Sequence, residues 1–487
     1  MIDHIRAQTD ALPRHPALIV DGSSADAAHS HPVGARAGAR LVAYAELVHA
    51  FETRARQWRA AGTPAGSRCG LQARSGPDFI EAALGILAAD LCLVPIPHEL
   101  GPGALATFAR EAHLDYVVRE ANGFALERSA DGPPLICEEE FRALRPAYLR
   151  FTSGTTSRHK GVVIGHDAIL ARLANANAGL AIGPEDRVMW LLPMEHHFVV
   201  SVLLYLRYGA TILLPASTLA RPVLALAADA GATVFYASPF HYNLLAKDAS
   251  VGRLDDVRLA VSTAEALHPE IAQRFAARFD RVLVQALGII EVGLPVMNGA
   301  SAASKPTALG RALPGYDVWL RGDDGRPAAA DGPGRTGEIC IRGTGMFDAY
   351  LDPWTPARSV LEPDGFRTGD QGWIDCDGDL HLAGRRMNRI NMAGMKFFCE
   401  EIEAVLDGHP EVRVSRVSAK LHAHLGELPI AEIVPVEPAR PPRPADLAAH
   451  CRARLEAHKI PREFRIVARL PTTPTGKLRR APTDRVE

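Results

Sequence analysis

Ten residues from Thr152 to Gly161 have the composition of a phosphate-binding loop. They contain five hydroxyl side chains, two glycines and one lysine, and they follow a strand-like stretch from Tyr148 to Phe151. Glycine lets the backbone approach a ligand closely, while N–H groups and hydroxyls donate to phosphate oxygens and a lysine adds a compact positive charge. The segment therefore predicts binding of a polyphosphate.

Two other interpretations fit parts of this segment. The Walker-type nucleotide loop requires Gly-Lys followed by Ser or Thr, but here Lys160 follows His159 and precedes Gly161, so that fold is excluded. A polar surface turn would have the same composition, and the segment alone favours that simpler explanation. The rest of the chain has to decide between a turn and a phosphate site.

The amino-acid composition is typical of an ordinary globular protein. The chain has 487 residues, 47% of them apolar, and a net charge of -2, which allows two or three hydrophobic cores and gives no reason to expect nucleic acid as a partner. Its seven cysteines are scattered without a CxxC pair, so we expect reduced thiols. The N-terminus lacks the features of a secretory signal, and no apolar run is long enough for a membrane span. We therefore expect a cytoplasmic protein.

The order of elements predicts a layered α/β fold between residues 43 and 246. Helical stretches alternate there with short apolar strands, which is typical of α/β layering. The predicted helix–strand pairs are 79–91 with 92–96, 105–112 with 114–118, 203–208 with 211–214, and 223–230 with 233–237. Shorter extended runs bounded by Gly, Pro and Asp then predict a β-rich subdomain. These runs are 318–321, 337–342, 372–375 and 380–383.

A domain boundary is expected at residue 384. We predict an N-terminal domain of residues 1–383 and a small α+β domain of residues 384–487. The small domain contains a predicted helix and two predicted strands, at 400–406, 413–419 and 430–436. The proline-rich run 438–444 is too short for a linker between domains, so we interpret it as a stiff loop.

Further motifs follow the loop in a fixed order and together identify a family. They are Gly288-Ile289-Ile290-Glu291, Thr368-Gly369-Asp370, Gly384-Arg385, Gly394-Met395-Lys396 with Glu401-Ile402-Glu403, and Pro474-Thr475-Gly476-Lys477. In this order and spacing the chain resembles the adenylate-forming superfamily of acyl-CoA synthetases, carrier-protein acyl ligases, peptide-synthetase adenylation domains and firefly luciferase. The resemblance begins at residues 42–47 and covers nearly the whole chain. It implies a large N-terminal domain and a small mobile C-terminal one, with the active site between them.

The resemblance also implies roles for individual residues in the use of ATP. The loop would hold the β- and γ-phosphates through Thr152, Ser153, Gly154, Thr155, Thr156 and Lys160. Glu291 matches a magnesium-associated glutamate, a hard oxygen ligand for a hard cation, and Gly288 lies in the same motif. Asp370 and Arg385 match residues at the ribose hydroxyls. Lys477 would reach the α-phosphate and the carboxylate as negative charge develops, so we predict it to be catalytic together with Glu291 and His197.

Several positions depart from the family pattern. Glycine and proline are usual where Ser157 and His159 stand, which changes the stiffness of the loop. Leu287 occupies the position of the aromatic residue that stacks on adenine, and Ile290 replaces a threonine near the phosphate. The hinge position is Met387, where aspartate or lysine is common. Cys399 replaces a helix-starting proline at small cost.

The acyl pocket implied by the resemblance involves the segment 192–201 and the Gly288 loop. Its predicted residues are His197, Phe198, Val199, Ala264 and Gly288. We interpret 192–201 as a strand, so the neighbouring His196 and His197 would point to opposite faces and metal ligation is disfavoured. Val199 would leave a substrate ammonium without a partner, which disfavours α-amino acids. Apolar neighbours favour a fatty, branched or aromatic acid.

The second half-reaction is expected to use a thiol. The resemblance implies that the small domain rotates and brings Gly394 to a narrow tunnel for a pantetheine arm, where a glycine is sterically suited. The thiol of coenzyme A and that of a separate acyl carrier protein are equally compatible. Two alternatives stay open: an adenylating enzyme with another second step, such as lactone formation, and a degenerate protein that binds acyl groups or nucleotides without catalysis.

Overall fold

The computed structural model describes residues 1–22, 39–129, 135–152, 160–250, 252–328, 331–332, 335–361, 363–385, 388–392, 395–422 and 425–471. The chain divides into two compact units. Of the described residues, the first contains those within 1–152, 160–318 and 341–366, and the second contains those within 319–340 and 367–471. The predicted boundary between residues 383 and 384 concerns domains in the sense of the resemblance and stays a prediction.

The first unit contains a nine-stranded sheet whose central strands are parallel. The strand order is β15-β14-β13-β12-β11-β9-β10-β1-β2, and the six strands from β13 to β1 in that order run parallel. The strands are β1 (Pro16–Val20), β2 (Arg40–Ala43), β9 (Arg187–Trp190), β10 (Thr211–Leu214), β11 (Val234–Ala237), β12 (Leu259–Ser262), β13 (Leu283–Ile289), β14 (Gly293–Met297) and β15 (Arg311–Ala312).

A second sheet in the same unit has eight strands in the order β19-β18-β8-β7-β4-β3-β5-β6. Its strands are β3 (Arg68–Gln72), β4 (Cys92–Ile96), β5 (Tyr116–Arg119), β6 (Leu126–Arg128), β7 (Pro146–Thr152), β8 (Lys160–Gly165), β18 (Ala349–Tyr350) and β19 (Thr355–Pro356). Strand β4 is buried at every position, as expected for an apolar run in the parallel part of a sheet. The segment predicted to bind phosphate thus lies between two antiparallel neighbours, β7 and β8.

Helices connect these strands in the first unit. They are α1 (Ile2–Ala11), α2 (Tyr44–Ala60), α3 (Pro77–Ala88), α4 (Pro102–Glu111), α5 (Glu138–Ala143), α6 (His166–Leu180), α7 (Met194–His197), α8 (Leu203–Arg207), α9 (Ala220–Ala230), α10 (Pro239–Lys247), α11 (Pro269–Phe279) and α12 (Ala357–Leu361). A π-helix (Phe198–Val202) joins α7 to α8, and a 3₁₀ turn (Glu120–Asn122) follows β5. Helices α9, α10 and α11 cover one face of the first sheet and share a core with it that includes Phe235, Tyr242 and Phe275.

The second unit is richer in strands. A four-stranded sheet, in the order β16-β17-β20-β21, contains β16 (Tyr316–Arg321), β17 (Gly337–Gly343), β20 (Phe366–Ile374) and β21 (Leu380–Arg385). A five-stranded sheet contains β22 (Arg389–Met392), β23 (Met395–Phe398), β24 (Val412–His422), β25 (Gly426–Pro435) and β26 (Glu463–Ile466). The helices α13 (Cys399–Asp407) and α14 (Pro444–Arg452) and a 3₁₀ turn (Ala457–Lys459) complete it.

The mixed α/β fold class predicted from the sequence is confirmed, and most predicted elements are present with small shifts at their ends. One strand, predicted at 372–375, belongs to the longer β20, which starts at Phe366 and ends before Asp375. Pro444 is not part of the predicted stiff loop but opens α14, because proline fits the first turn of a helix, where its missing N–H costs nothing. Helix α13 starts at Cys399, and Glu401 replaces the missing proline as a stabilising feature by accepting the Phe398 N–H at 2.9 Å.

The buried side chain of Arg172 on α6 connects three parts of the first unit. Its Nε and Nη2 donate to the carbonyl of Gly345 at 2.9 and 2.7 Å, and its Nη1 donates to the carbonyl of Ile290 at 3.0 Å. Only 1% of Arg172 is exposed, and burial lowers the pKa of its guanidinium to about 10. Gly345 has a φ of +76°, and a Cβ there would lie only 2.6 Å from the backbone nitrogen of Arg172. Only glycine therefore allows this close approach of the chain to α6.

We predict that Arg172→Met destabilises the protein by about 2–4 kcal/mol, because the carbonyls of Gly345 and Ile290 lose the partly buried hydrogen bonds that Arg172 donates. The matched control is Arg207→Met, which removes a half-buried guanidinium with one hydrogen bond, to the carbonyl of Leu170 at 3.0 Å. We expect that control to cost about 1 kcal/mol or less. Urea unfolding of both variants measures the difference, and equal midpoints for Arg172→Met and the parent would contradict the assigned role.

Candidate active site

The residues predicted to form the site fall into three groups. Ser153 to His159, Met387, Gly394 and Lys477 lie outside the described residues, so their predicted roles rest on the sequence. Lys160, Glu291, His197, Phe198, Val199, Ala264 and Gly288 lie in the first compact unit, and Asp370 and Arg385 lie in the second.

The predicted phosphate-binding segment begins and ends at one paired position of the second sheet. Thr152, the last residue of β7, pairs with Lys160, the first residue of β8. Lys160 is exposed, and its Nζ lies 4.9 Å from the centre of the Tyr350 ring. An ammonium over an aromatic face is attracted by the ring quadrupole, so this contact orients the lysine without neutralising its charge.

Tyr350 connects this lysine to Glu291. Its hydroxyl donates to Oε1 of Glu291 at 3.1 Å. Burial raises the pKa of Glu291, while the Tyr350 hydroxyl and the charge of Lys160 oppose the shift by favouring the ionised carboxylate. Burial also raises the pKa of Tyr350 well above its ordinary value, so the phenol keeps its proton and acts as a donor. Lys160 and Glu291 are thus brought together through one aromatic ring.

The backbone around Glu291 is held from both sides. The carbonyl of Ile290 accepts from Arg172, and the carbonyl of Glu291 accepts from the N–H of Phe347 at 2.7 Å. Strand β18, which carries Tyr350, pairs with β8 so that Tyr350 lies opposite Val162. The same contacts that attach the 345–351 segment to β8 therefore set the positions of both Tyr350 and Glu291.

Within the segment 192–201, residues 194–201 are helical, so the strand predicted for the segment is wrong. Helix α7 starts after Pro193 and continues into the π-helix, which starts at Phe198. Methionine and glutamate at its start favour a helix, and the following valines do not impose a strand because tertiary packing overrides their preference. Consecutive histidines on a helix are not on opposite faces, so that part of the argument against metal ligation no longer holds. Among the described residues, no group of three or more His, Cys, Asp or Glu side chains could hold a metal ion.

The predicted acyl residues differ in their surroundings. The His197 ring packs edge to face on Trp190, with 6.2 Å between the centroids. Phe198 is fully buried and packs on Phe79 in the core, and Val199 is 3% exposed. At the other side of the predicted pocket, Ala264 has a φ of +73°, a strained value for a residue with a Cβ.

Gly288 has space that a side chain would fill. It is exposed, and the nearest atom to a Cβ built there is Oγ1 of Thr263, 3.7 Å away. The neighbouring Leu287, at the position expected for adenine stacking, is partly buried on β13 opposite Val296. The space beside Gly288 is therefore open, while Phe198 and Val199 are buried inside the first unit.

Arg150 is a charged residue that the sequence interpretation missed. It lies on β7, two residues before Thr152, and its Nη1 donates to the carbonyl of His196. Among the described residues its Nε is buried without a hydrogen-bond partner, and burial lowers the pKa of the guanidinium. Its charge interacts with those of Glu291 and Glu195, and burial raises the pKa of Glu195. Alternation along β7 was the available signal, because it places Arg150 on the same face as Tyr148.

In the second unit, Asp370 and Arg385 lie directly opposite each other on β20 and β21. Nε of Arg385 is 3.1 Å from Oδ1 of Asp370, the carboxylate is mostly buried, and the arginine side chain is 59% exposed. The Asp370 N–H donates to Oγ1 of Thr368, which donates in turn to the carbonyl of Ile339. The two residues predicted at the ribose are thus neighbours, although they are 15 positions apart in sequence.

The C-terminal motif residues Glu401 and Glu403 have structural contacts. Oε2 of Glu401 pairs with Lys459 at 2.8 Å, and Oε1 of Glu403 accepts the Val417 N–H. Both side chains therefore fix α13 within the second unit.

Comparison with known proteins identifies the family. A family model described as AMP-binding enzyme matches residues 13–351, and one described as AMP-binding enzyme C-terminal domain matches residues 401–477. A sulfoacetate–CoA ligase from Cupriavidus necator is 28% identical over 458 residues, covering 88% of this chain and 89% of that protein. A feruloyl-CoA synthase from an Amycolatopsis species is 26% identical over 473 residues, covering 92% and 94%.

Solved structures show the same fold. An o-succinylbenzoate CoA synthetase from Bacillus subtilis, in complex with its acyl-adenylate intermediate, has a TM-score of 0.82 at 20% identity and covers 98% of this chain and 96% of that one. An anthranilate CoA ligase in complex with anthranoyl-AMP has a TM-score of 0.79 at 21% identity, covering 98% and 95%.

None of the helices in the described part of the chain is both long and apolar enough to cross a membrane. Since the first family model alone spans well over half of the sequence, the chain belongs to the AMP-binding enzyme family, as its motifs predicted.

Proposed function

We propose that this protein is an ATP-dependent acid–thiol ligase. It activates a carboxylic acid that lacks an α-amino group as an acyl adenylate and passes the acyl group to a pantetheine thiol. The observation that carries the proposal is the arrangement of Lys160, Tyr350 and Glu291 at the end of the predicted phosphate-binding segment. Relatives named as CoA ligases and CoA synthases support a thiol acceptor of the coenzyme A type.

The first half-reaction requires management of negative charge. A carboxylate oxygen attacks the α-phosphorus of ATP, the bond to the bridging oxygen breaks, and pyrophosphate leaves with the negative charge. In the proposal, Lys160 and the hydroxyls and N–H groups of residues 152–156 hold the leaving phosphates. Lys477 stabilises the charge that develops between the α-phosphate and the carboxylate. Asp370 accepts hydrogen bonds from the ribose hydroxyls, and Arg385 forms an ion pair with that carboxylate.

The residues around Glu291 fit a magnesium ion bound mainly through ATP. Mg²⁺ is commonly held by one or two carboxylates together with substrate phosphates. Glu291 supplies one such carboxylate, and the Tyr350 hydroxyl occupies only one side of it. When bound, the ion would neutralise phosphate charge. Glu291 would supply a carboxylate ligand for the ion, and Tyr350 would orient that carboxylate.

The second half-reaction replaces AMP with a thiol ester. The thiol sulfur attacks the acyl carbon of the adenylate, the thiol loses its proton, and AMP leaves. We propose that Gly394 leaves room for the pantetheine arm and that Met387 lies at the hinge of a domain rotation between residues 1–383 and 384–487. His197 would separate the acyl group from the nucleotide, next to Trp190.

A hydroxylamine-trapping screen over aromatic and fatty acids tests the chemical assignment. We expect at least one acid to give a hydroxamate with release of pyrophosphate. Lys477→Ala should lower that rate by about 100-fold or more, since it removes a charge used in the transition state. Its matched control is Lys459→Ala, which removes a lysine paired with Glu401 and should leave the rate within about threefold.

The acceptor is identified by replacing hydroxylamine with coenzyme A or with a holo carrier protein. The true acceptor loses its free thiol as the acyl group is transferred to it. The proposal is wrong if no acid releases pyrophosphate or if Lys477→Ala equals the parent. Release of AMP without consumption of thiol would support a different second step, such as lactone formation.

Variants of Tyr350 separate its two contacts. Tyr350→Phe removes the hydrogen bond to Glu291 but keeps the ring beside Lys160. Because that bond favours the ionised carboxylate, its loss raises the pKa of Glu291 further. We therefore expect the acid limb of the pH–rate profile to move to higher pH and the Mg²⁺ requirement to rise about 10-fold, with little change in the KM for ATP.

Tyr350→Leu also removes the aromatic face, so we expect the KM for ATP to rise as well. The pH profile and Mg²⁺ titration of the adenylation step measure both effects. Unchanged Mg²⁺ and pH dependence in Tyr350→Phe would show that the phenol does not orient Glu291.

A further inference from the structure

His197 lies where two helical pieces of different type meet. It is the last residue of α7 and directly precedes the π-helix that begins at Phe198. Its φ of −127° and ψ of 2° lie outside the α-helical range, so the helix is interrupted at this residue. The direction of the His197 side chain therefore depends on what holds the two peptide groups on either side of its Cα.

Side chains hold both of these peptide groups. Nη1 of Arg150 donates to the carbonyl of His196, which belongs to the peptide group before His197. The hydroxyl of the buried Ser201 donates to the carbonyl of His197, which belongs to the peptide group after it. A serine that bonds to the carbonyl four residues earlier is common in helices, but Arg150 reaches α7 from a strand 46 residues earlier in the chain. Rotation of either peptide group would break one of these two hydrogen bonds.

The first part of α7 is attached by other contacts. The Met194 N–H donates to Oγ of Ser75, in the loop between β3 and α3, at 2.9 Å. The Tyr148 hydroxyl on β7 lies 3.5 Å from the carbonyl of Glu195. These contacts hold the start of the helix, and the bonds from Arg150 and Ser201 hold its end.

Arg150 also lies on the same face of the second sheet as Tyr350. It pairs in register with Val162 on β8, and Val162 pairs with Tyr350 on β18. Side chains directly opposite on neighbouring strands share a face, and three adjacent strands span about 10 Å. The sheet therefore sets the spacing between the residue that holds the end of α7 and the ring that contacts Lys160 and Glu291. Spacing matters because a displacement of about 1 Å between reacting groups can cost about 100-fold in rate.

We propose that Arg150 and Ser201 are positioning residues for adenylation, which hold His197 in the orientation that separates the acyl group from the nucleotide. This inference rests on the proposed function, because it concerns the part that His197 has there. Neither residue has to contact the substrate. Both act through the backbone of His197, whose ring then packs on Trp190.

The experiment uses three variants and two matched controls. Arg150→Met and Ser201→Ala each remove one of the two hydrogen bonds, whereas Arg150→Lys keeps a charged donor. Arg258→Met is the control for the arginine, because Arg258 pairs with Asp186 before β12 and β9, at the edge of the first sheet opposite to the end of β9 that leads to α7. Ser67→Ala is the control for the serine, because it removes a bond from a buried serine to a carbonyl elsewhere in the same unit.

Kinetics are measured with the acid that releases pyrophosphate fastest in the hydroxylamine-trapping screen. Arg150→Met should lower kcat/KM for that acid by about 10- to 100-fold, and Ser201→Ala by about fivefold. Arg150→Lys should recover most of the loss, and both controls should stay within about threefold of the parent. The KM for ATP should stay within about threefold in every variant, because the change lies on the acyl side of the site.

A double-variant cycle with His197→Ala tests whether Arg150 acts through His197. If it does, the double variant Arg150→Met/His197→Ala loses about as much kcat/KM for the acid as the more damaging single variant. Losses that multiply in the double variant would overturn the inference. Equal rises in the KM for ATP and for the acid in Arg150→Met would also overturn it, because they indicate a general loss of structure.

Fluorescence of Trp190 gives a second measurement that needs no turnover. Its emission is taken as the difference between each protein and the same protein with Trp190→Phe, and it reports the contact with the His197 ring. Arg150→Met and Ser201→Ala should change that emission in the same direction as His197→Ala, while the two controls leave it unchanged. Unchanged emission in both variants contradicts the inference alone. A parent that releases pyrophosphate with no acid contradicts the proposed function, and the emission then still decides whether Arg150 and Ser201 position His197.

Discussion

The arrangement of the first unit's site depends on one buried guanidinium. Arg172 donates to the carbonyls of Gly345 and Ile290, which lie more than 50 residues apart in sequence, and so fixes two loops against α6. One loop leads to Tyr350 and the other to Glu291. Because a buried arginine needs its donors satisfied, any movement of either loop would leave a charge unpaired in a dry environment. The Tyr350–Glu291 hydrogen bond, and the position of the ring that lies beside Lys160, depend on this constraint.

The second constraint is topological. The parallel strands β9 and β11 separate connections that run in opposite directions, and this opens a crevice at their carboxyl ends. Val199, one of the residues predicted for an apolar acyl pocket, is packed into the interior instead.

The sequence predicted the fold class and most elements because their signals are local. Strand β4 and strand β10 are continuous apolar runs, and both have the bounds that the pattern predicted. The helix at Met194–His197 was missed because four residues carry too little periodicity to separate a helix from a strand. The positions of Asp370 and Arg385 on facing strands could be suspected only from the motif, since pairing across a sheet is not local.

The sequence predicted the types of the site residues better than their partners. Glu291 and Lys160 stand out through motifs, but Tyr350, Arg172 and Arg150 act through contacts with residues far along the chain. In the sequence, tyrosine and arginine at those positions carry no distinctive signal. Their roles can be recognised only from the contacts that the folded chain creates.

The central claim is that a carboxylate oxygen attacks the α-phosphorus of ATP. Isotope transfer tests it most directly: an accepted acid is labelled with ¹⁸O in both carboxylate oxygens, and the AMP from a complete turnover with thiol is analysed by mass spectrometry. Formation and thiolysis of an acyl adenylate leave one labelled oxygen in each AMP, and this is the result we predict. AMP without the label, or formation of ADP in its place, would contradict the account.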